Sequence, residues 1–154
     1  MGEAHGVYLG LGTNLGNREE NVARAICLIG ERVGQVLRQS TLIETEPWGF
    51  ESENKFLNGV ILVETELTPR QILNTVKTIE WDMGRRPLEK STIYSLKSKS
   101  KVKKKSNSRY TDRPIDIDIL LYDDLTVDEP DLKIPHPLMY QRDFVMIPLN
   151  EIQQ

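Results

Sequence analysis

A single cysteine, Cys27, stands in the 154 residues, so neither a disulfide framework nor a cysteine-built zinc cluster is available. It falls in a helical apolar pattern and reads as a small core residue. No apolar run approaches the ~18 residues of a membrane-crossing helix. The N-terminus shows no signal-peptide apolar segment. No membrane partner is expected, and the cytoplasm is the expected location. Aromatic residues make up only 6% of the chain, and the aromatic-rich central strand of a common RNA-binding sheet is missing. The phosphate-cradling glycine motifs are missing too. Gly10, Gly12 and Gly16 follow G-x-G-x-x-x-G rather than G-x-G-x-x-G, and there is no Walker A loop. These glycines read instead as allowing a tight strand-to-helix turn.

What is present fits one globular domain over 1–154, with 38% hydrophobic and 28% charged residues and enough length to bury a core without staples. The net charge of −3 conceals an asymmetry. From Arg85 to Arg113 there are eleven Lys or Arg and two acids, which leaves nine basic and twenty-one acidic residues elsewhere. A basic segment is grafted onto an acidic body. Within it, 95–108 is almost wholly Ser, Lys and Asn, and 86–112 reads as a solvated basic loop insertion. Its lysines could mark a nucleic-acid footprint. With only Tyr94 and Tyr110 as flanking aromatics and acids elsewhere, no nucleic-acid partner is expected. A loop that closes over polyphosphate and a plain solvated insertion both remain open.

Hydrophobic periodicity gives the element order. Val7–Gly12 reads as a strand, followed by a helix that Asn17 caps with Glu20 three residues on. Val22, Ile26, Ile29 and Val33 form its stripe, and Gly34 ends it. Strands are expected over about 35–45 and 56–66. Thr68-Pro69-Arg70-Gln71 opens a second helix with Pro at its first position. Its stripe is Ile72, Leu73, Val76 and Ile79, and Gly84 ends it. A strand at 113–122 and further strands toward the C-terminus complete the chain. The order β-α-β-β-α-β predicts an α+β, ferredoxin-like (split βαβ) antiparallel sheet with both helices on one face and the long basic loop inserted before the fourth strand.

That fourth strand carries the strongest chemical signal. In Arg113-Pro114-Ile115-Asp116-Ile117-Asp118-Ile119, apolar and acidic residues alternate with the period of a half-buried strand. Asp116 and Asp118 share one face, roughly 6–7 Å apart. Paired carboxylates repel unless a cation sits between them. Mg²⁺ takes a few carboxylates together with phosphate oxygens. A solvated acidic face on an edge strand is the competing reading. Arg85, Arg86, Arg109, Arg113, Lys133, His136 and Arg142 flank the pair, and fixed cations are what phosphoryl transfer needs. In 45–58, Trp48, Phe50 and Phe56 could sandwich a flat heterocycle whose edge Asn58 reads, or they could simply cap the core.

Four blocks in order, Gly12-Thr13-Asn14-Leu15-Gly16-Asn17, Thr45-Glu46-Pro47-Trp48-Gly49 with Phe56-Leu57-Asn58, Arg113 to Leu120, and Ile134-Pro135-His136-Pro137 with Arg142-Asp143-Phe144, give the chain a family likeness. With Ile79-Glu80 before Gly84-Arg85, it resembles the 6-hydroxymethyl-7,8-dihydropterin pyrophosphokinases from about Val7 to Ile152. The resemblance implies a Mg-dependent pyrophosphoryl transferase of folate biosynthesis with ATP as co-substrate and AMP as product. It implies two Mg²⁺ ions on Asp116 and Asp118, and catalytic roles for Arg85 and Arg113. It implies a pterin pocket of Thr45, Trp48, Phe56, Asn58 and Phe144, with Tyr110 nearest to the family's loop tryptophan. It places Glu80, Ile119, His136 and Arg142 on ATP, with Arg113, Lys133, Arg109 and Lys77 beside them. Lys77 replaces a common Gln, and Pro137 a common aromatic. Arg86 and Arg109 both stand where a second loop arginine is sought. A monomer is expected. The start at Met1 without a linker is expected of a free-standing enzyme rather than half of a bifunctional one. The alternative from another class is a non-catalytic binding module on the same fold.

Overall fold

The computed structural model describes residues 3–46, 55–84 and 114–153. A five-stranded antiparallel sheet runs in the order β2–β4–β1–β5, with β3 pairing β4 beyond the end of β2. The strands are β1 (His5–Thr13), β2 (Gly34–Gln39), β3 (Ile43–Thr45), β4 (Phe56–Thr65) and β5 (Asp116–Tyr122). Among the described residues the α-helices are α1 (Arg18–Arg32), α2 (Pro69–Asp82) and α3 (Asp143–Ile152). With β2 and β3 taken as pieces of one broken strand, this is the split-βαβ order expected from the sequence.

Local chemistry explains the boundaries. The Asn17 side chain accepts the Glu20 N–H at 3.0 Å, satisfying one of the orphan donors that open a helix. Thr68 and Gln71 form the reciprocal capping box at the start of α2, and Gly84, at φ +113°, closes that helix. Gly34 behaves differently from the expectation. It opens β2 rather than capping α1, and a Cβ there would lie 2.0 Å from the Glu64 carbonyl oxygen. Close backbone approach, not a left-handed cap, demands glycine at that point.

The strand expected over 35–45 is broken at Ser40. Its N–H donates to the Val60 carbonyl at 2.9 Å, but the Val60 N–H goes to the Ser40 hydroxyl, also at 2.9 Å. A side chain has taken the place of a ladder carbonyl, and the chain turns there. In α1 the buried positions are Val22, Ala25 and Ile29. Cys27 lies off that stripe and is exposed, which corrects its reading as a core residue.

Alternation divides the sheet into two faces. Val7, Leu9 and Leu11 of β1, Ile61 and Val63 of β4, and Ile117 and Ile119 of β5 share the main core with Ile29, Ile72, Val76 and Ile79 of α1 and α2. The further strands expected toward the C-terminus pack on the main-core side of the sheet, through Leu132 and Ile134. A hairpin of β6 (Val127–Glu129) and β7 (Leu132–Ile134) forms its own small sheet, tied to α2 where Arg70 meets Asp131 and Glu129. On the second face the segment Asp143–Ile152 is a helix, α3. It lays Val145, Leu149 and Ile152 with Met139 against Val60 and Leu120 on the second face. Helices therefore pack on both faces, and α3 covers only part of its own.

Candidate active site

The uncovered part of the second face is a cleft, and the register of the sheet builds it. Gly12 of β1 is paired with Asn58 of β4 on one side and with Asp116 of β5 on the other. One step along, Gly10 is paired with Val60 and Asp118. The middle strand thus contributes bare backbone between an amide and two carboxylates. Phe56, Thr45, Glu46 and Leu120 extend the walls, and Arg142, Phe144 and Val145 at the start of α3 lean over them. The cleft is open to solvent, with about 610 Å³ of non-atom space, open solvent included.

Asn58 is buried, and its Nδ2 donates to Thr45 Oγ1 at 2.7 Å. That bond spans β4 and β3 and holds the amide in one plane. Asp116 and Asp118 are half-buried on the cleft side, while Ile115, Ile117 and Ile119 are buried on the other. The alternation breaks just beyond. Tyr8 pairs with Leu121 and Leu9 with Ile119, leaving Leu120 as a bulge. Leu120 and Leu121 both join the cluster beneath α3, and the bulge ends the acidic row.

Arg142 is buried, with its guanidinium carbon 5.4 Å from the centre of the Phe144 ring, within cation–π range. His136 is held by its backbone, which donates to the Leu120 carbonyl at 3.1 Å. Its Nδ1 accepts the Leu138 N–H at 3.3 Å, so the neutral ring carries its proton on Nε2. Burial lowers the pKa of His136 below the ordinary 6.5, and the Arg142 cation lowers it further against the opposing pull of Asp116.

The structure therefore gathers Thr45, Phe56, Asn58, Asp116, Asp118, Arg142 and Phe144 around one space. Other expected residues do not line it. The Ile119 side chain lies in the main core, leaving its backbone for contact. Lys77 is exposed on α2, and Lys133 Nζ pairs with Asp128 at 2.6 Å. Glu80 is buried behind β5, where its Oε2 accepts the Ile117 N–H at 2.8 Å. Trp48, Arg85, Arg86, Arg109, Tyr110, Arg113 and the insertion over 86–112 lie outside the described residues. Sequence reasoning missed the floor. Gly10 and Gly12 lie in β1, within the strand expected over Val7–Gly12, but not in the turn role also given them; Gly16, at φ +66°, has that role. The signal was available in the alternation Val7, Leu9, Leu11 against Tyr8, Gly10, Gly12.

Known proteins resemble this chain along nearly its whole length. The family model of 7,8-dihydro-6-hydroxymethylpterin-pyrophosphokinase (HPPK) matches residues 8–154. The chain belongs to the HPPK family. A 2-amino-4-hydroxy-6-hydroxymethyldihydropteridine pyrophosphokinase of Porphyromonas gingivalis is 43% identical over 147 residues, covering 95% of this chain and 89% of that protein. One of Aquifex aeolicus is 37% identical over 96% of this chain and 79% of its own length. A Plasmodium falciparum HPPK-DHPS crystal structure superposes with a TM-score of 0.70 at 17% identity, over 97% of this chain and 38% of that one; this is likeness of fold. As an HPPK, the chain transfers pyrophosphate from ATP to the hydroxymethyl group of 6-hydroxymethyl-7,8-dihydropterin in folate biosynthesis. No helix among the described residues is long and apolar enough to cross a membrane.

Proposed function

We propose that the pterin occupies the Asn58 side of the cleft and the ATP polyphosphate the Asp116/Asp118 side, so that the two reacting groups meet above Gly12. The row Asn58–Gly12–Asp116 carries this reading. Across two strand spacings the amide and the carboxylate stand about 10 Å apart, with nothing but backbone between them. Phe56 and Phe144 face the space as stacking surfaces, and Asn58, steadied by Thr45, reads the edge of the ring. Trp48 and Tyr110 complete the pterin side by resemblance.

Among the described residues no group of three or more His, Cys, Asp or Glu could hold a metal. Two carboxylates on one strand face suit Mg²⁺, which draws its remaining ligands from phosphate and water. Asp116 and Asp118 would hold two such ions, whose chemistry when bound is to offset polyphosphate charge. Arg142 places a fixed cation beside the same space, and His136 offers its Nε2–H. Lys77, Glu80, Ile119 and Lys133 flank β5 from α2, from the strand itself and from β7. Arg85 and Arg113, with Arg86 or Arg109, would steady the polyphosphate.

In the reaction the pterin hydroxyl oxygen attacks the β-phosphorus in line. The new O–P bond forms as the bond from the β-phosphorus to the α–β bridging oxygen breaks; AMP leaves with that oxygen, and the hydroxyl proton passes to water. The protein's part is position and electrostatics. The enzyme works as a cytoplasmic monomer of one domain spanning 1–154, with the basic insertion over 86–112.

The test is AMP release from ATP and Mg²⁺ with and without 6-hydroxymethyl-7,8-dihydropterin. Pterin-dependent AMP with no ADP is expected. ADP as product, or AMP formed without pterin, overturns the reading. Salt-sensitive RNA binding without turnover would favour a binding module instead.

A further inference from the structure

We propose that Glu80 is a positioning residue for the Asp116/Asp118 pair and acts through the backbone N–H of Ile117. The proposal rests on the reading of that pair as the metal ligands.

Among the described residues β5 is at the edge of the sheet and pairs with β1 alone. In an antiparallel pair, alternate residues exchange their N–H and C=O groups with the partner, and those between them point away. Ile117, opposite Leu11, is one of the latter. Its N–H leaves the sheet on the side covered by α2, where the Glu80 carboxylate receives it at 2.8 Å. Glu80 is 5% exposed and Ile117 is 4% exposed, so the bond lies away from water. An unmet N–H there would carry the desolvation cost of a buried donor, and the peptide would turn to find another acceptor.

The place of that peptide along the chain gives the bond its consequence. Ile117 is the residue between Asp116 and Asp118. Its side chain is anchored in the main core and its N–H is anchored on α2. These two restraints stop β5 from rotating about its axis, and such rotation would swing both carboxylates together. Two ligands that must converge on shared cations need positions good to about half an ångström. Groups that orient metal ligands from behind are worth ~10–100-fold in metal affinity. A neutral acceptor could satisfy one amide more cheaply than a buried carboxylate. What the position requires for this role is an acceptor oxygen at glutamate length on α2, and glutamine also supplies one.

Three variants of the full chain test this, with Mn²⁺ as the probe. Mn²⁺ binding is followed by electron paramagnetic resonance in the presence of α,β-methylene-ATP, and affinity for the metal-free analogue is measured separately. Glu80→Ala is expected to raise the Mn²⁺ concentration for half-saturation ~10-fold, a larger loss than any in affinity for the metal-free analogue. Glu80→Gln keeps an acceptor oxygen and is expected to bind Mn²⁺ near the wild-type level. An unchanged midpoint in Glu80→Ala overturns the proposal. So does a Glu80→Gln variant as impaired as the alanine, with analogue affinity reduced, because the carboxylate would then act on the nucleotide itself. Asp116→Asn separates the two levels. If it shifts the midpoint and Glu80→Ala does not, only the role of Glu80 falls; if it shifts nothing, the metal reading falls and takes this proposal with it. Should Glu80→Ala fail to fold, amide hydrogen exchange at Ile117 decides. Slow exchange in the wild type and in Glu80→Gln supports the anchor, and fast exchange in the wild type overturns it.

Discussion

A Cβ added to Gly12 would lie 2.9 Å from the side-chain oxygen of Asn58, its cross-strand partner, and 3.6 Å from the Phe56 ring. The amide can read a ligand edge only because that position carries hydrogen. Gly12→Ala should displace Asn58, weaken its bond to Thr45 and narrow the slot. Pterin affinity is expected to fall by about 1–2 kcal/mol, the scale of a lost buried hydrogen bond. Calorimetric titration with the pterin reads this, and circular dichroism should show the fold retained. Unchanged pterin affinity would remove the glycine floor from the site.

Asp116→Asn keeps the size of the side chain and removes its charge. AMP release should fall by roughly 100-fold or more, the scale of lost electrostatic stabilisation at a reacting centre. Chelation of Mg²⁺ should abolish turnover of the wild type, while pterin binding at Asn58 persists. Steady-state AMP production and pterin titration in EDTA check both halves.

The lowered pKa of His136 fixes the sign of a pH effect. Burial is its leading cause, followed by the Arg142 cation. The folded protein therefore binds this proton less readily than the unfolded chain does. Stability linked to His136 is fully present above pH 6.5, the ordinary value, and is lost as the pH falls from there toward the depressed folded value. Melting temperature should decline over that interval, and His136→Gln should flatten the slope. The chain has two histidines, so proton NMR of the variant assigns the ring resonance. A titration midpoint at or above 6.5 would contradict the assigned cause.

Leu149, on the buried face of α3, is 1% exposed. Leu149→Ala should cost about 2–5 kcal/mol and loosen the helix that carries Arg142 and Phe144 to the cleft. Urea unfolding measures the loss. Pterin affinity should fall with it, although no residue in the main core between the sheet and α1 and α2 has changed.

Much of this was legible in the chain. Alternating Ile and Asp over 115–119 determined which side of β5 would be apolar, because successive side chains on a strand point to opposite faces. Thr68 with Gln71 and Asn17 with Glu20 determined where α2 and α1 begin, because a short polar side chain meets orphan N–H groups within one turn. The four motif blocks determined the family. All of these are relations between residues close in sequence, or patterns repeated along it.

Other features waited on distant partners. That Ser40 would supply a ladder bond to Val60, ending one strand and starting another, depends on what β4 presents there. The stretch 143–152 is apolar on too many sides for period to name its element, and becomes α3 because the second face offers Val60 and Leu120 to cover. Glu80 carries no local sign that it meets Ile117, thirty-seven positions later. Gly12 looked like turn chemistry until register set it between Asn58 and Asp116. The sequence by itself determined the helix caps, the apolar faces and the family chemistry, since short-range sterics and solvation dictate them. Only the tertiary structure decided which glycine, amide and carboxylate stand in one row, because register is a choice among long-range pairings that no single segment encodes.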